Sequence, residues 1–265
     1  RYEVLPQILG DLPALRAVLG APDDGVSQGN ANRFLKNISA QTGAEVMYLM
    51  DTRGNTLAAS NWDKSDSFIG RNFSFRPYFS EAMQGRLGRF FGLGTTSTKR
   101  GYYFAAAVRD GEDILGVLVV KVDLDHTESL WGKTPEQLLV TDHNGVVILT
   151  SQTDWRFRAS RPLSASSRQQ IARDQPYPTI DPPPLQLPAQ QWLQQSRTLA
   201  QTDWQVSILA PRYLVTRPVQ TVLLIAAASL LALLLLLGLG TRLLGAIQHR
   251  NLAGTLGNDS QQMRG

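Results

Sequence analysis

Two cations in this chain stand where packing alone would not put them. Lys121 is the one charge inside Gly116-Val-Leu-Val-Val-Lys-Val-Asp123, an otherwise apolar run that reads as a strand. Arg76 sits among aromatic residues in Asn72-Phe-Ser-Phe-Arg-Pro-Tyr-Phe79, at the mouth of a short helix. An arginine offers a planar fork that matches a carboxylate with two bonds, and a lysine offers a point charge with three donors. A buried charge is costly unless it is paired. Two readings follow. Lys121 pairs with Asp123, Asp125 or Glu81, or Arg76 and Lys121 face one cavity and each takes one carboxylate of a small anionic ligand. In the second reading Thr95, Thr96 and Ser97 add hydroxyl donors from the adjoining loop. Tyr103 and Phe73 then form walls, with the Tyr103 phenol as a further donor.

Other chemistry finds little support. The histidines at 126, 143 and 249 are scattered and have no partner pattern, and the Gly-x-Ser-x-Gly and His-Glu-x-x-His signatures are absent. Asp23-Asp24 and Asp142-His143-Asn144 read as turn residues rather than metal ligands. No catalytic residue, metal or cofactor is expected. There is no cysteine, so disulfides and thiolate chemistry are excluded. The formal charge is +4, but the basic residues are dispersed and form no stripe, so no nucleic-acid partner is expected.

Positioning Arg76 and Lys121 requires a sheet and its covering helices. Residues 1–20 have apolar spacing that predicts one helix despite Pro6 and Pro13, and a second helix is predicted from Ser27 to Thr42, stopped by Gly43. Strands are predicted at 45–51 and 56–60, around the turn Asp51-Thr-Arg-Gly-Asn55. The helix Tyr78–Gln84 follows Pro77, and further strands cover 89–94, 102–109 and 114–123. That makes about five antiparallel strands with helices on one side, an α+β lobe. The first hairpin recurs: Asp51, Gly54 and Ser60 align with Asp142, Gly145 and Ser151, which predicts two related lobes. In the second lobe strands are expected at 138–142, 146–150, 192–200 and 204–210, with a helix at 164–173.

One segment concerns a membrane. From Pro218 to Thr241 there is no charged side chain, and Val222 to Leu239 is almost wholly apolar. About twenty such residues in a helix cross a ~30 Å hydrocarbon core. The polar stretch 242–265 carries no kinase signature, and His249 lacks an acidic neighbour. The chain starts at Arg1 without a signal peptide, so it is expected to be a piece of a longer protein.

The 72–79 and 116–123 segments, with Gly94-Thr-Thr-Ser97 and Gly101-Tyr-Tyr-Phe104, together resemble the extracytoplasmic sensor domain of C4-dicarboxylate-sensing histidine kinases, members of the double-Cache (PAS-like) family. The resemblance covers residues 1–240. It implies a long N-terminal helix bearing two tandem PAS-like lobes, followed by a transmembrane helix. The divisions are a helical stalk at 1–44, a membrane-distal ligand lobe at 45–125, a membrane-proximal lobe at 126–212, a span at 213–241 and a cytoplasmic tail at 242–265. It places the ligand-binding arginine on Arg76, the lysine on Lys121 and the loop hydroxyls near Thr95 and Ser97. Some members carry tyrosine where this chain has Phe73, so one ligand hydrogen bond is lost. The implied ligand is succinate, fumarate or malate, with 2-oxoglutarate the competitor. Amino-acid sensors of the superfamily place an aspartate in the closing strand to meet the ligand's ammonium, and here Lys121 stands in that strand, which argues for a second anionic end. The implied setting is a homodimer in the bacterial inner membrane with residues 1–212 in the periplasm, signalling to a response regulator through a kinase module outside this chain. A chemoreceptor with the same fold, and a membrane-anchored interaction protein in which Arg76 and Lys121 form internal salt bridges, are the alternatives.

Overall fold

The computed structural model describes residues 2–129, 131, 134–188, 190–200 and 202–262, with backbone alone at 240 and 243–262. The chain divides into two compact units, Arg1–Leu187 with Gln194–Leu209, and Pro188–Leu193 with Ala210–Gly265.

The sequence is of mixed α/β class and builds two sheets. In the first lobe β1 (Val46–Asp51), β2 (Thr56–Ala59), β3 (Gly88–Leu93), β4 (Arg100–Asp110) and β5 (Asp113–Asp123) lie in the order β2-β1-β5-β4-β3. All four pairings are antiparallel. In the second lobe β6 (Gln137–Thr141), β7 (Val147–Thr150), β8 (Trp192–Leu199) and β9 (Trp204–Pro211) lie in the order β7-β6-β9-β8.

The recurring hairpin is a structural repeat. Tyr48↔Ala59, Leu49↔Ala58 and Met50↔Thr56 in β1 and β2 match Leu139↔Thr150, Val140↔Leu149 and Thr141↔Val147 in β6 and β7, with a bulge at the same step. The physical cause is shared turn chemistry. Asp51 Oδ1 accepts from the N–H of Arg53 and Asn55, and Asp142 Oδ1 from the N–H of Asn144 and Val146. Gly54 and Gly145 supply φ values of 83° and 81°, which side chains with a Cβ adopt only under strain. Ser60 and Ser151 close each hairpin, accepting the N–H of Met47 and Leu138 on their hydroxyls.

The first sheet is covered on both faces, which corrects the expectation of helices on one side. Alternate residues of a strand face opposite ways. Val46, Tyr48, Met50, Val117, Val119, Tyr103 and Ala105 pack with α4 (Pro77–Met83) and the aromatic side chains of Phe68 and Phe73. Met47, Leu49, Leu118, Val120 and Val108 pack on the other face with the N-terminal helices. That region is not one helix over 1–20. It is α1 (Leu5–Gly10) and α2 (Pro13–Gly20), followed by α3 (Gly25–Thr42), the longest of the three at 18 residues. Pro13 lacks an amide hydrogen, so it ends the first helix and opens the second. Asp24 caps α3 with its carboxylate, and Gly43 at φ 76° terminates it.

The crossing at 124–137 contains α5 (Leu124–Ser129). It anchors a buried charge cluster between the lobes. Arg100, at the start of β4, donates to Asp125 and Glu128 of α5 and to the carbonyl of Ile148 in β7 (2.8 Å). Glu128 also accepts from the Thr150 N–H at 2.7 Å and from Arg156. Burial pushes the Glu128 carboxyl upward, but Arg100, the Thr150 amide and Arg156 outweigh it and hold the group below the ordinary range. A group with a depressed folded value stabilises fully above the unfolded value, about 4.3, and loses that contribution as the pH falls through the folded value. The melting temperature is therefore expected to fall steeply from about pH 4 downward. In Glu128→Gln the start is lower and the slope shallower. A melting series from pH 7 to pH 3 on both proteins checks this, and parallel curves would contradict it.

The second lobe has α6 (Ala165–Asp174), capped by Ser164, whose hydroxyl accepts the Ser167 N–H at 3.0 Å. In the second unit one helix, α7, runs from Tyr213 to Gln262. The stretch 242–262 continues it as helical backbone, and the side chain of His249 lies outside the described residues. Among the described residues one segment of 27 residues, Tyr213–Leu239, is long and apolar enough to cross a membrane, with a mean hydropathy of 2.9 over its 18-residue window.

Candidate functional site

Strand parity puts Lys121 on the same face of β5 as Val117 and Val119, inside the aromatic core. Its register partners are Val46 in β1 and Tyr103 in β4. The side chain is fully buried. Gly101 on β4 makes room for its stem: a Cβ there would lie 2.5 Å from Lys121 Cε. The amine donates to Ser97 Oγ at 2.9 Å and stands 2.8 Å from Glu45 Oε2. It lies 5.9 Å from the Tyr103 ring centroid, on the ring face. Burial lowers the amine's affinity for its proton, and Glu45 opposes that shift.

The acid that pairs with Lys121 is therefore none of the three expected. Glu81 pairs with Arg86 and Asp125 with Arg100. Glu45 immediately precedes β1, and its N–H donates to the Lys121 carbonyl at 2.9 Å. Only the β1–β5 register reveals this, because the two residues are far apart in sequence.

Arg76 is the N-cap residue of α4 and is buried. Its extended backbone (φ −79°, ψ 136°) follows from Pro77, which disfavours the helical region in the residue before it. The guanidinium donates through Nη1 to the carbonyls of Asp174 (2.9 Å) and Gln175 (2.8 Å), and through Nη2 to that of Leu93 (2.8 Å). The first two acceptors belong to the second lobe, so Arg76 ties the lobes together. Gln175 holds a left-handed backbone, φ 48°, at the end of α6. The three bonds together use three of arginine's five N–H groups. The guanidinium carbon lies 4.8 Å from the Phe75 ring centroid and 5.3 Å from that of Phe90.

An aromatic wall runs between the two cations. Phe90 lies 6.2 Å from Tyr103, which stacks on Tyr78 at 5.2 Å. Tyr78 and Tyr48 share a 2.6 Å hydrogen bond between their phenols. Burial raises the pKa of all three tyrosines, so they remain neutral hydroxyls. Phe73 belongs to the same core, edge-on to Tyr48 and Phe68. The structure thus gathers Lys121, Ser97 and Tyr103, places Arg76 beyond Phe90 and leaves Thr95 exposed at the loop surface. A cavity of about 180 Å³ between the lobes is lined by Arg89, Phe90, Phe91, Tyr102, His143 and Trp204 among others, and neither Arg76 nor Lys121 lines it. Asp142 borders that cavity with its carboxylate taken by two backbone amides and the Tyr177 hydroxyl, as a turn residue.

No protein-family model matches the chain. The ligand-binding domain of the Campylobacter jejuni chemoreceptor Tlp3 superposes with a TM-score of 0.53 at 14% identity, over 80% of this chain and 81% of that one. The two chains share a fold of two lobes built on antiparallel sheets. The sensor domain of the V. cholerae histidine kinase DctB superposes with a TM-score of 0.72 at 33% identity, over 79% of this chain and 88% of that domain. The C4-dicarboxylate transport sensor protein DctB of Pseudomonas aeruginosa is 63% identical over 241 residues, 91% of this chain and 39% of that protein. The chain belongs to the DctB sensor-domain family, and it spans about two fifths of the length of that curated relative.

Proposed function

We propose that this chain is the periplasmic sensor region and membrane anchor of an inner-membrane histidine kinase, and that it binds a C4 dicarboxylate of the succinate, fumarate or malate class. Residues 45–125 form the ligand lobe and residues 126–212 the membrane-proximal lobe. Lys121 receives one carboxylate, helped by Ser97 and the Tyr103 phenol, and Arg76 receives the other. Phe73 closes the wall, and Thr95 adds its hydroxyl when the 94–101 loop draws in. The observation that carries this reading is Lys121 itself. It is a fully buried amine on a strand face otherwise filled by Val117 and Val119. Burying a cation where a valine would pack costs stability, and a binding role accounts for that cost. The names of the relatives support the ligand class. The chain acts as a homodimer and signals along α7 to a kinase module and a response regulator. For this the ligand must favour one of two states.

A second reading draws on the Lys121–Glu45 ion pair: Lys121 is an internal salt bridge and Arg76, which meets backbone carbonyls rather than the expected carboxylate, is a structural donor, in a membrane-anchored interaction protein without a small ligand. Thermal unfolding of the full chain in detergent separates the two, with succinate, fumarate, malate, 2-oxoglutarate and several amino acids as additives. A ligand at 100 times its Kd stabilises by about 2.7 kcal/mol, a melting shift on the order of 5–10 °C for a domain of this size. A shift with C4 diacids supports the sensor reading. A shift with 2-oxoglutarate alone changes the ligand, and no shift with any diacid overturns the proposal.

A further inference from the structure

We infer that Glu45 is an internal competitor for Lys121, a carboxylate of the chain itself that occupies the amine a ligand carboxylate must win and thereby sets the affinity of the site. The inference rests on the ligand reading of Lys121.

Its geometry is specific. The amine has three donors, and Ser97 Oγ and Glu45 Oε2 stand 2.9 Å and 2.8 Å from it. The glutamate cannot drift away, because its own N–H is bonded to the Lys121 carbonyl. Yet the carboxylate is not locked. Oε2 is buried and makes no directional hydrogen bond, so the charge of the amine is what holds it. The side chain is 13% exposed, at the rim rather than the floor of the core. A second cation stands on the outer side: Lys99 Nζ lies 3.9 Å from Oε1, with its own side chain 56% exposed. A carboxylate arriving at Lys121 can therefore displace Glu45 towards Lys99 and water, without leaving it unpaired in the interior. Lys99 belongs to the 94–99 loop, so the exchange also pulls on the loop that carries Ser97.

Two like charges near one amine repel strongly at the effective dielectric of a protein interior. Removing the resident charge must favour the incoming one. Calorimetric titration of the full chain in detergent with succinate at pH 6.5 tests this. Glu45→Gln is expected to bind succinate roughly ten times more tightly than the wild type, or better. Its melting temperature without succinate is expected to fall, since Lys121 loses its counter-ion. Glu45→Asp, which shortens the reach of the carboxylate, is expected to tighten binding by less, and it serves alone should the glutamine variant not fold. Tighter binding with lower intrinsic stability is a combination that a merely structural glutamate would not produce. Unchanged or weaker succinate binding in both variants, with the wild type binding normally, overturns the inference and leaves the ligand reading intact. No binding of succinate, fumarate or malate by the wild type overturns both.

Discussion

Lys121→Met is expected to weaken binding of C4 diacids by at least about a hundredfold while the chain still folds. Truncating one partner of a buried, hydrogen-bonded charge pair costs about 2–5 kcal/mol in binding, much of it the penalty of leaving the other charge unpaired. Methionine keeps the unbranched shape that threads past Gly101, where the lysine stem runs. It also removes the burden of an amine buried without water. Glu45 loses its partner, but it sits at the rim with Lys99 nearby. The net change in folding stability is therefore expected to stay within about 2 kcal/mol. Titration calorimetry gives the affinity and thermal melting gives the stability. Large destabilisation with unaltered diacid binding would favour the internal-pair reading of this lysine.

Arg76→Ala is expected to do the reverse in proportion, destabilising by about 3–5 kcal/mol. Three backbone carbonyls, at Leu93, Asp174 and Gln175, lose their donor at once. A buried acceptor left without a partner costs about 1–3 kcal/mol, less where water enters. For a domain of this size, that loss corresponds to a melting decrease of roughly 10 °C. Because two of the acceptors lie in the other lobe, the two lobes should also cease to unfold together, and a second transition should emerge in the calorimetric trace. Arg76→Lys should recover only part of the loss, since a point charge cannot reproduce a fork with fixed directions. Retention of a single transition at the wild-type temperature in the alanine variant would show that the inter-lobe bonds contribute nothing. Any study of ligand affinity at this position must therefore be read against stability, whereas the same study at Lys121 is far less confounded.

What was legible in the residues was local. The hairpins around Asp51 and Asp142 are set by an aspartate and a glycine a few positions apart, so their repetition can be read directly. The side of β5 that Lys121 occupies follows from strand alternation once the strand is recognised. The gathering of Ser97 and Tyr103 around it came from the resemblance and the neighbouring loop. What was illegible depended on register or on backbone. Glu45 meets Lys121 because Val46 lies opposite it in the sheet, and nothing near either residue announces that pairing. The acceptors of Arg76 are main-chain groups on a distant helix end, which no side-chain motif encodes. The break before α2 was visible as Pro13 but was outweighed by apolar spacing that continues across it. The helix in the crossing segment exists to place Asp125 and Glu128 against Arg100, a tertiary demand rather than a local one.

The acceptors of Arg76 have a further consequence for descent. A carbonyl is present whatever the residue that bears it. Positions 93 and 174 can exchange one amino acid for another over evolutionary time without loosening the tie between the lobes. Position 175 is restricted only by its left-handed backbone, which favours glycine or asparagine. The arginine has no such latitude. Among divergent relatives this junction should leave a one-sided trace, a single invariant cation facing partners whose identities wander.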